Sequence, residues 1–367
     1  MRGNGITYDT GFTSAGTTTH EPFDAEVVRR EMRVIRDDLH CTAVRITGSH
    51  PDRLEIAAAH AAAAGLEVWF CPFTNGLTQE ALLDLLADCA ERAERLRRTG
   101  AEVVLLTGSE ISLFTDGFLP GATVQERLAV VADPRRVRAI IGEVRARITD
   151  FLRKAVEVVR ARFGGKVSYA SLPLERVDWA LFDIIATDAA YRTKATAPQY
   201  RENIRAFVAA GRAQGKPVAT TEFGCTTHRG AADGGGDSLV AGAMIEWGPD
   251  ARPVRLNGEY LRDEGEQATY LREVLEVFES EGVDSAFVNT FARYDLPHRS
   301  DPREDFDMAS FGVVKVLGDR PGSPDRRYPD MPWEPKAAFD TLAQYYSSQS
   351  ARSVATGSTR LARRAGT

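Results

Sequence analysis

Gly215-Lys-Pro-Val-Ala-Thr-Thr-Glu-Phe-Gly224 reads as the junction of a helix with a strand. The stretch before it, Pro198 to Gln214, carries apolar residues at helical spacing. Gly215 then stands where a left-handed residue ends a helix at least steric cost. Pro217 to Thr221 is a short apolar and β-branched run, and Glu222 arrives at its C-terminal end. Outward from this segment the same order recurs. Gly65, Gly100, the pair Gly164-Gly165, and Gly282 each follow a helical stretch and stand just before the next apolar run.

Eight strand candidates result: Gly5 to Tyr8, Thr42 to Ile46, Glu67 to Phe70, Glu102 to Thr107, Lys166 to Ala170, Asp183 to Thr187, Pro217 to Thr221 and Asp284 to Thr290. Helical patterns run over Asp24 to Leu39, Pro51 to Ala64, Thr78 to Arg98, Pro134 to Phe163, Leu174 to Leu181, Pro198 to Gln214, Glu266 to Glu281 and Pro335 to Tyr346. An alternation this regular predicts an α/β protein, and eight units close most economically into a single (β/α)8 TIM barrel, which leaves no strand edge. The barrel is expected over 1–346, with 347–367 as a flexible basic tail too polar to repay its ordering by burial. Two βα connections exceed a simple turn plus helix: Ser109 to Ala132 after strand four and Gly224 to Glu264 after strand seven. Both leave the barrel at its C-terminal face, where barrel enzymes build their sites. The second contains Arg229-Gly-Ala-Ala-Asp-Gly-Gly-Gly-Asp237, which reads as a surface turn or a mobile rim.

At 367 residues, with Lys+Arg 46 against Asp+Glu 52, the net charge is −6. That balance argues against a surface that neutralises phosphates, so no nucleic-acid partner is expected. No run is apolar enough to span a membrane, and no secretory leader precedes the first strand, so a cytoplasmic protein is expected. The four cysteines, Cys41, Cys71, Cys89 and Cys225, lack CxxC spacing and read as buried reduced thiols. No metal-binding motif is present, and neither metal nor cofactor is expected.

The chemistry-bearing residues stand at strand ends. Strand four delivers Val-Val-Leu-Leu-Thr-Gly-Ser-Glu110 and strand seven delivers Glu222, on opposite sides of the barrel mouth. Opposed carboxylates suit glycosidic cleavage: one protonates the leaving oxygen while the other attacks the anomeric carbon or activates water. Glu222 must then stay ionised, helped by Arg45, and Glu110 must hold its proton, helped by desolvation or a neighbouring negative charge.

Thr221-Glu222-Phe223-Gly224 resembles the nucleophile motif of the clan A glycoside hydrolases, retaining (β/α)8 enzymes with catalytic glutamates at strands four and seven. Ala43-Val44-Arg45 is similar to the clan's strand-two arginine, which supports the nucleophile. Gly265-Glu-Gln-Ala-Thr-Tyr270 resembles its seventh helix, and Ser310-Phe-Gly-Val-Val with Glu334-Pro-Lys-Ala-Ala-Phe-Asp340 resembles its closing segment. The resemblance implies Glu110 as acid/base and Glu222 as nucleophile. It also implies a supporting tyrosine on strand six, for which Tyr191 and Asp188 compete. The chain departs from the pattern where Ser109 replaces the asparagine that holds a sugar 2-hydroxyl. It departs again where strand eight ends Val288-Asn289-Thr290-Phe291 rather than in tryptophan, leaving Asn289 and Phe291 as the substrate-facing candidates there. A fainter resemblance, to actinobacterial chains labelled abortive infection proteins, implies no mechanism.

Further candidates follow from position. Tyr8 and Asp9 end strand one; His228 and His298 sit on rim loops; Trp247, in the long seventh loop, is placed to stack on a pyranose. The reading that results is a retaining glycoside hydrolase or transglycosylase acting on a small soluble glycoside or related polyol. A barrel recruited for isomerase, lyase or cyclase chemistry, and a non-catalytic binding or host-defence protein, are the alternatives.

Overall fold

The computed structural model describes residues 1–234, 242–248, 251–318, 322 and 325–349. Eight parallel strands form one sheet: β1 (Gly3–Asp9), β2 (Ala43–Gly48), β3 (Glu67–Pro72), β4 (Val103–Ser109), β5 (Lys166–Ala170), β6 (Ile185–Thr187), β7 (Val218–Phe223) and β8 (Ser285–Val288). Their order is β5-β4-β3-β2-β1-β8-β7-β6, the sequential winding of a (β/α)8 barrel. The two ends of that order meet. Ser171 and Thr187 form a parallel bridge, Asp188 N donates to Ser171 O at 3.0 Å, and the Ser168 and Ser171 hydroxyls reach the carbonyls of Ile184 and Ala186 at 2.9 and 2.7 Å. The β5/β6 seam is thus laced largely by side chains.

All eight anticipated strands are present, and seven of the eight helical stretches. Six are α1 (Ala25–Arg33, continued by a π-helical turn over Val34–Asp38), α2 (Pro51–Ala63), α3 (Gln79–Arg98), α4 (Pro134–Arg160), α5 (Tyr200–Ala213) and α6 (Glu264–Glu281), and the seventh is α7 at 337–349. Caps explain their starts: the Asp24, Thr78, Asp133 and Asp263 side chains each accept from first-turn amides. The exception is Leu174 to Leu181, where only two 3-10 turns form, Pro173–Glu175 and Trp179–Leu181. Arg176 between them is left-handed at φ 47°, which no helix tolerates. The expected tail lies outside the described residues from 350 on, as do residues 235–237 of the glycine-rich rim.

Strand alternation sorts the barrel interior from its outer face. Ala43, Trp69, Cys71, Val104, Leu106, Ala170, Ile184, Ala186, Ala219 and Phe287 form the inner cluster, and Trp69 meets Phe287 at 4.7 Å between ring centres. Continuing the inward parity carries Ala43 to Arg45 and Thr47, Cys71 to Phe73, and Ala186 to Asp188. The layer above the apolar plug is therefore polar. All four cysteines are buried thiols. No helix among the described residues is long and apolar enough to cross a membrane.

Trp69→Ala should cost roughly 3–5 kcal/mol of unfolding free energy, because the plug cannot refill the indole volume. Urea unfolding followed by far-UV circular dichroism measures it.

Candidate active site

Arg45 is wholly buried at the barrel centre, one layer above Ala43. Its Nη1 donates to Glu222 Oε1 at 2.7 Å and to the Thr221 carbonyl at 3.2 Å. Its Nη2 reaches Ser109 Oγ at 3.2 Å and Asp188 Oδ2 at 3.4 Å, and Ser109 Oγ donates to Asp188 Oδ2 at 2.5 Å. One guanidinium thus serves two carboxylates. Burial opposes the charge on Arg45, but Asp188 and Glu222 more than offset it and hold the group protonated.

Glu222, at the end of β7, accepts on its other oxygen from Tyr191 Oη at 2.9 Å and Asn289 Nδ2 at 3.2 Å, and Asn289 also donates to Tyr191 Oη at 3.0 Å. Glycine at 224 is what allows Asn289 so close, since a Cβ there would lie 2.6 Å from the Asn289 carbonyl oxygen. Glu110 is held differently. It follows the irregular end of β4, where the pairing with β5 shifts register, and its backbone is left-handed at φ 48°, ψ 40°. Such strain in a non-glycine residue is tolerated where surrounding structure enforces it, commonly at functional sites. Its amide donates to Ala170 O at 3.0 Å, whereas its carboxyl has no hydrogen-bond partner among the described residues.

Burial, followed by the charges of Asp188, Glu222 and Glu175, pushes Glu110 well above the usual carboxylate range. Burial and Asp188 push Glu222 up as well, against the opposing pull of Arg45 and Tyr191. The rise at Glu222 differs from the expectation that Arg45 would dominate, because desolvation outweighs the guanidinium it shares with Asp188. A single proton on the pair resides on Glu110, which has no donor, rather than on Glu222, which has three.

Both glutamates line a cavity of about 230 Å³ at the C-terminal mouth, together with Asp9, Asn289, Arg293, four threonines and three phenylalanines. The Asp9 carboxylate accepts from Gly11 N at 2.8 Å and from the Thr19 hydroxyl. Arg293 is fixed by two hydrogen bonds to Asp295, at 2.8 and 2.6 Å. Tyr191 is the strand-six residue that touches Glu222, while Asp188 and Ser109 lie beneath the cavity in contact with Arg45. Ser109 is 3 % exposed and turned into the floor.

Other candidates lie outside this cavity. Tyr8 is buried behind β1 and donates to Glu31, which also accepts from Tyr294 and Trp333. Phe291 is buried against Tyr8 and Trp333. His228 contacts Thr226 Oγ1 at 3.0 Å and packs on Tyr260; His298 bonds Asp305 at 2.8 Å. Trp247 is 45 % exposed on a hairpin (Ile245–Trp247 with Pro253–Leu256) and lines a neighbouring cavity of about 460 Å³ with Tyr294 and Asp295. Sequence reading overlooked Thr7, Thr19, Thr47, Phe12, Phe73, Phe114, Thr290 and Arg293. For Thr47 and Phe73 the inward parity of β2 and β3 was the available signal. Among the described residues no group of three His, Cys, Asp or Glu side chains is gathered to hold a metal.

No family model and no curated protein matches the chain. Solved structures do. A GH113 β-mannanase from Alicyclobacillus acidocaldarius aligns with TM-score 0.56 and 16% identity over 94% of this chain and 97% of its own. A β-glucuronidase from Parabacteroides merdae aligns with TM-score 0.53 and 14% identity over 93% of this chain, which spans 36% of that longer protein. The fold these structures share with this chain is the (β/α)8 barrel.

Asp188→Asn removes a negative charge that favours the protonated form of Glu110. For any reaction that needs Glu110 as acid, rate falls as pH rises through its raised pKa. The basic limb of the kcat/KM profile should therefore move to lower pH, by about one unit, and Ser109→Ala, which keeps the Asp188 charge, should leave that limb in place.

Proposed function

We propose that the protein is a retaining glycoside hydrolase or transglycosylase acting on a small soluble glycoside. The observation that carries this reading is the contrast between two carboxyls in one cavity: Glu222 held by Arg45, Tyr191 and Asn289, and Glu110 facing the same space without a donor. Carboxyls whose surroundings separate their roles are what acid and nucleophile require. Glu222 attacks the anomeric carbon as its Oε2 donors hold the attacking group in place. Glu110 gives its proton to the leaving oxygen, then takes one from the incoming water or alcohol. Asp9, Arg293, Asn289 and the threonines supply acceptors and donors for sugar hydroxyls. The glycosidase structures that share the fold support the reading, and a location in the cytoplasm completes it.

A second reading has one observation in its favour. Ser109 faces Asp188 instead of the cavity, so the contact that clan A enzymes make to a sugar 2-hydroxyl through the residue before the acid is missing. The same glutamates would then serve proton transfer in an isomerase, lyase or cyclase.

A panel of aryl glycosides assayed against wild type, Glu110→Ala and Glu222→Ala separates these readings. Glycosidase action predicts a loss of roughly 10²–10⁴-fold for Glu110→Ala, least for the best leaving groups, and near-complete loss for Glu222→Ala. A 2-fluorosugar should leave a covalent adduct on Glu222 detectable by mass spectrometry. Equal turnover by all three proteins would remove the glycosidase reading, and acid/base activity on another substrate without an adduct would favour the second.

A further inference from the structure

The catalytic cavity is divided by polarity. Hydrogen-bonding groups gather along the ends of β1, β7 and β8, where Asp9, Glu222, Asn289 and Arg293 stand. Phe12, Phe73 and Phe114, contributed by the loops after β1, β3 and β4, form an aromatic wall in the same lining, and each ring is half-buried. These rings contact one another at 4.8 Å (Phe12 with Phe73), 5.5 Å (Phe12 with Phe114) and 4.9 Å (Phe73 with Phe114). Phe114 stands edge-on to both others, at 87° and 86°, so the wall is a corner of perpendicular rings and not one flat platform. A pyranose lying flat on a single ring needs hydrogen-bonding groups around its rim. An aromatic ring entering a perpendicular corner meets one face and one edge at once, the geometry aromatic pairs prefer.

Position assigns the wall to one end of the substrate. Phe114 closes the helical turn (Ile111–Phe114) that begins at Glu110, and its amide donates to the Glu110 carbonyl at 3.2 Å. The acid must stand beside the oxygen that departs, so the surface next to it receives what that oxygen carries. The hydroxyl-bearing sugar belongs with the polar groups around Glu222.

Building on the glycosidase reading, we propose that Phe12, Phe73 and Phe114 form a leaving-group site for an aromatic aglycone, making the preferred substrate an aryl or arylalkyl glycoside and not an oligosaccharide. In the first half-reaction the Glu222 carboxylate forms the glycosyl ester, the glycosidic C–O bond breaks, and the Glu110 proton passes to the departing aryl oxygen. In the second, an acceptor O–H attacks the same carbon, its proton returns to Glu110, and Glu222 leaves as carboxylate. An acceptor must occupy the site the aglycone vacated, so acceptor choice reports on the wall.

The experiment uses the full chain, an aryl glycoside that the panel shows to be turned over, and benzyl alcohol and D-glucose as competing acceptors at equal concentration. Products are quantified by mass spectrometry. Transfer to benzyl alcohol should exceed transfer to glucose by about tenfold, and Phe73→Ala and Phe114→Ala should bring the ratio near unity; because both products arise from the same glycosyl-enzyme, the ratio is independent of how far these variants also slow use of the aryl donor. Phe114→Leu keeps the apolar bulk without the ring; it should fold normally and lose most of the benzyl preference. Preference for glucose, no interception by either acceptor, or a benzyl preference kept by all three variants would overturn the assignment. Failure of the wild type to turn over any glycoside falls instead on the glycosidase reading.

Discussion

A guanidinium sealed from water at the centre of the barrel governs the site above it. An isolated charge cannot remain there, so Arg45 demands acidic partners, and it has two, Glu222 and Asp188. Two carboxylates against one guanidinium leave the cluster with an excess of negative charge. Burial first, and then that excess, favours the neutral form of Glu110 at the end of β4. The charge state of the cavity is thus set in part by Arg45 and Asp188, which do not line it. Ser109 completes the arrangement, since its hydroxyl occupies the oxygen of Asp188 that Arg45 also approaches.

Much of this architecture is legible in the sequence. Helix-ending glycines followed by short apolar runs mark five of the eight strands, the third, fourth, fifth, seventh and eighth, apolar runs alone mark the other three, and Glu110 and Glu222 are visible as acids delivered at strand ends. The fifth helix failed because Leu174 to Leu181 has apolar residues at suitable spacing but a left-handed Arg176 and a proline ahead of it, and backbone geometry of that kind has no periodic signature. At β4, alternation is defeated by the register shift between Leu106 and Ser109, which sends Ser109 to the floor and Glu110 to the mouth although they are adjacent. Tyr191 could be separated from Asp188 only by knowing how far past β6 the chain travels before it turns back toward Glu222. The phenylalanine corner joins three loops more than a hundred residues apart at its extremes, and nothing local links its members.

The same limit explains the behaviour of strand one. Tyr8 and Asp9 are neighbours, and alternation sends them in opposite directions: Asp9 to the cavity, Tyr8 outward to Glu31. Glu31 is fully buried, forms no salt bridge among the described residues, and is satisfied by three donors from β1, the β8 loop and the segment before α7. A buried acid so placed ties α1 to both ends of the chain, and it rises above its ordinary pKa through desolvation. Its position between distant elements gives it a structural task separate from that of the two acids at the mouth.

The joint between β5 and β6 acquires another meaning in this light. It has the least backbone ladder of any junction in the barrel, and it carries Asp188 on one side and leads directly to Tyr191. A slight parting of these strands would withdraw a carboxylate from Arg45 and a phenol from Glu222 in one movement. Closure of the barrel wall and the ionic balance of its centre therefore draw on the same short stretch of chain, Thr187 to Tyr191.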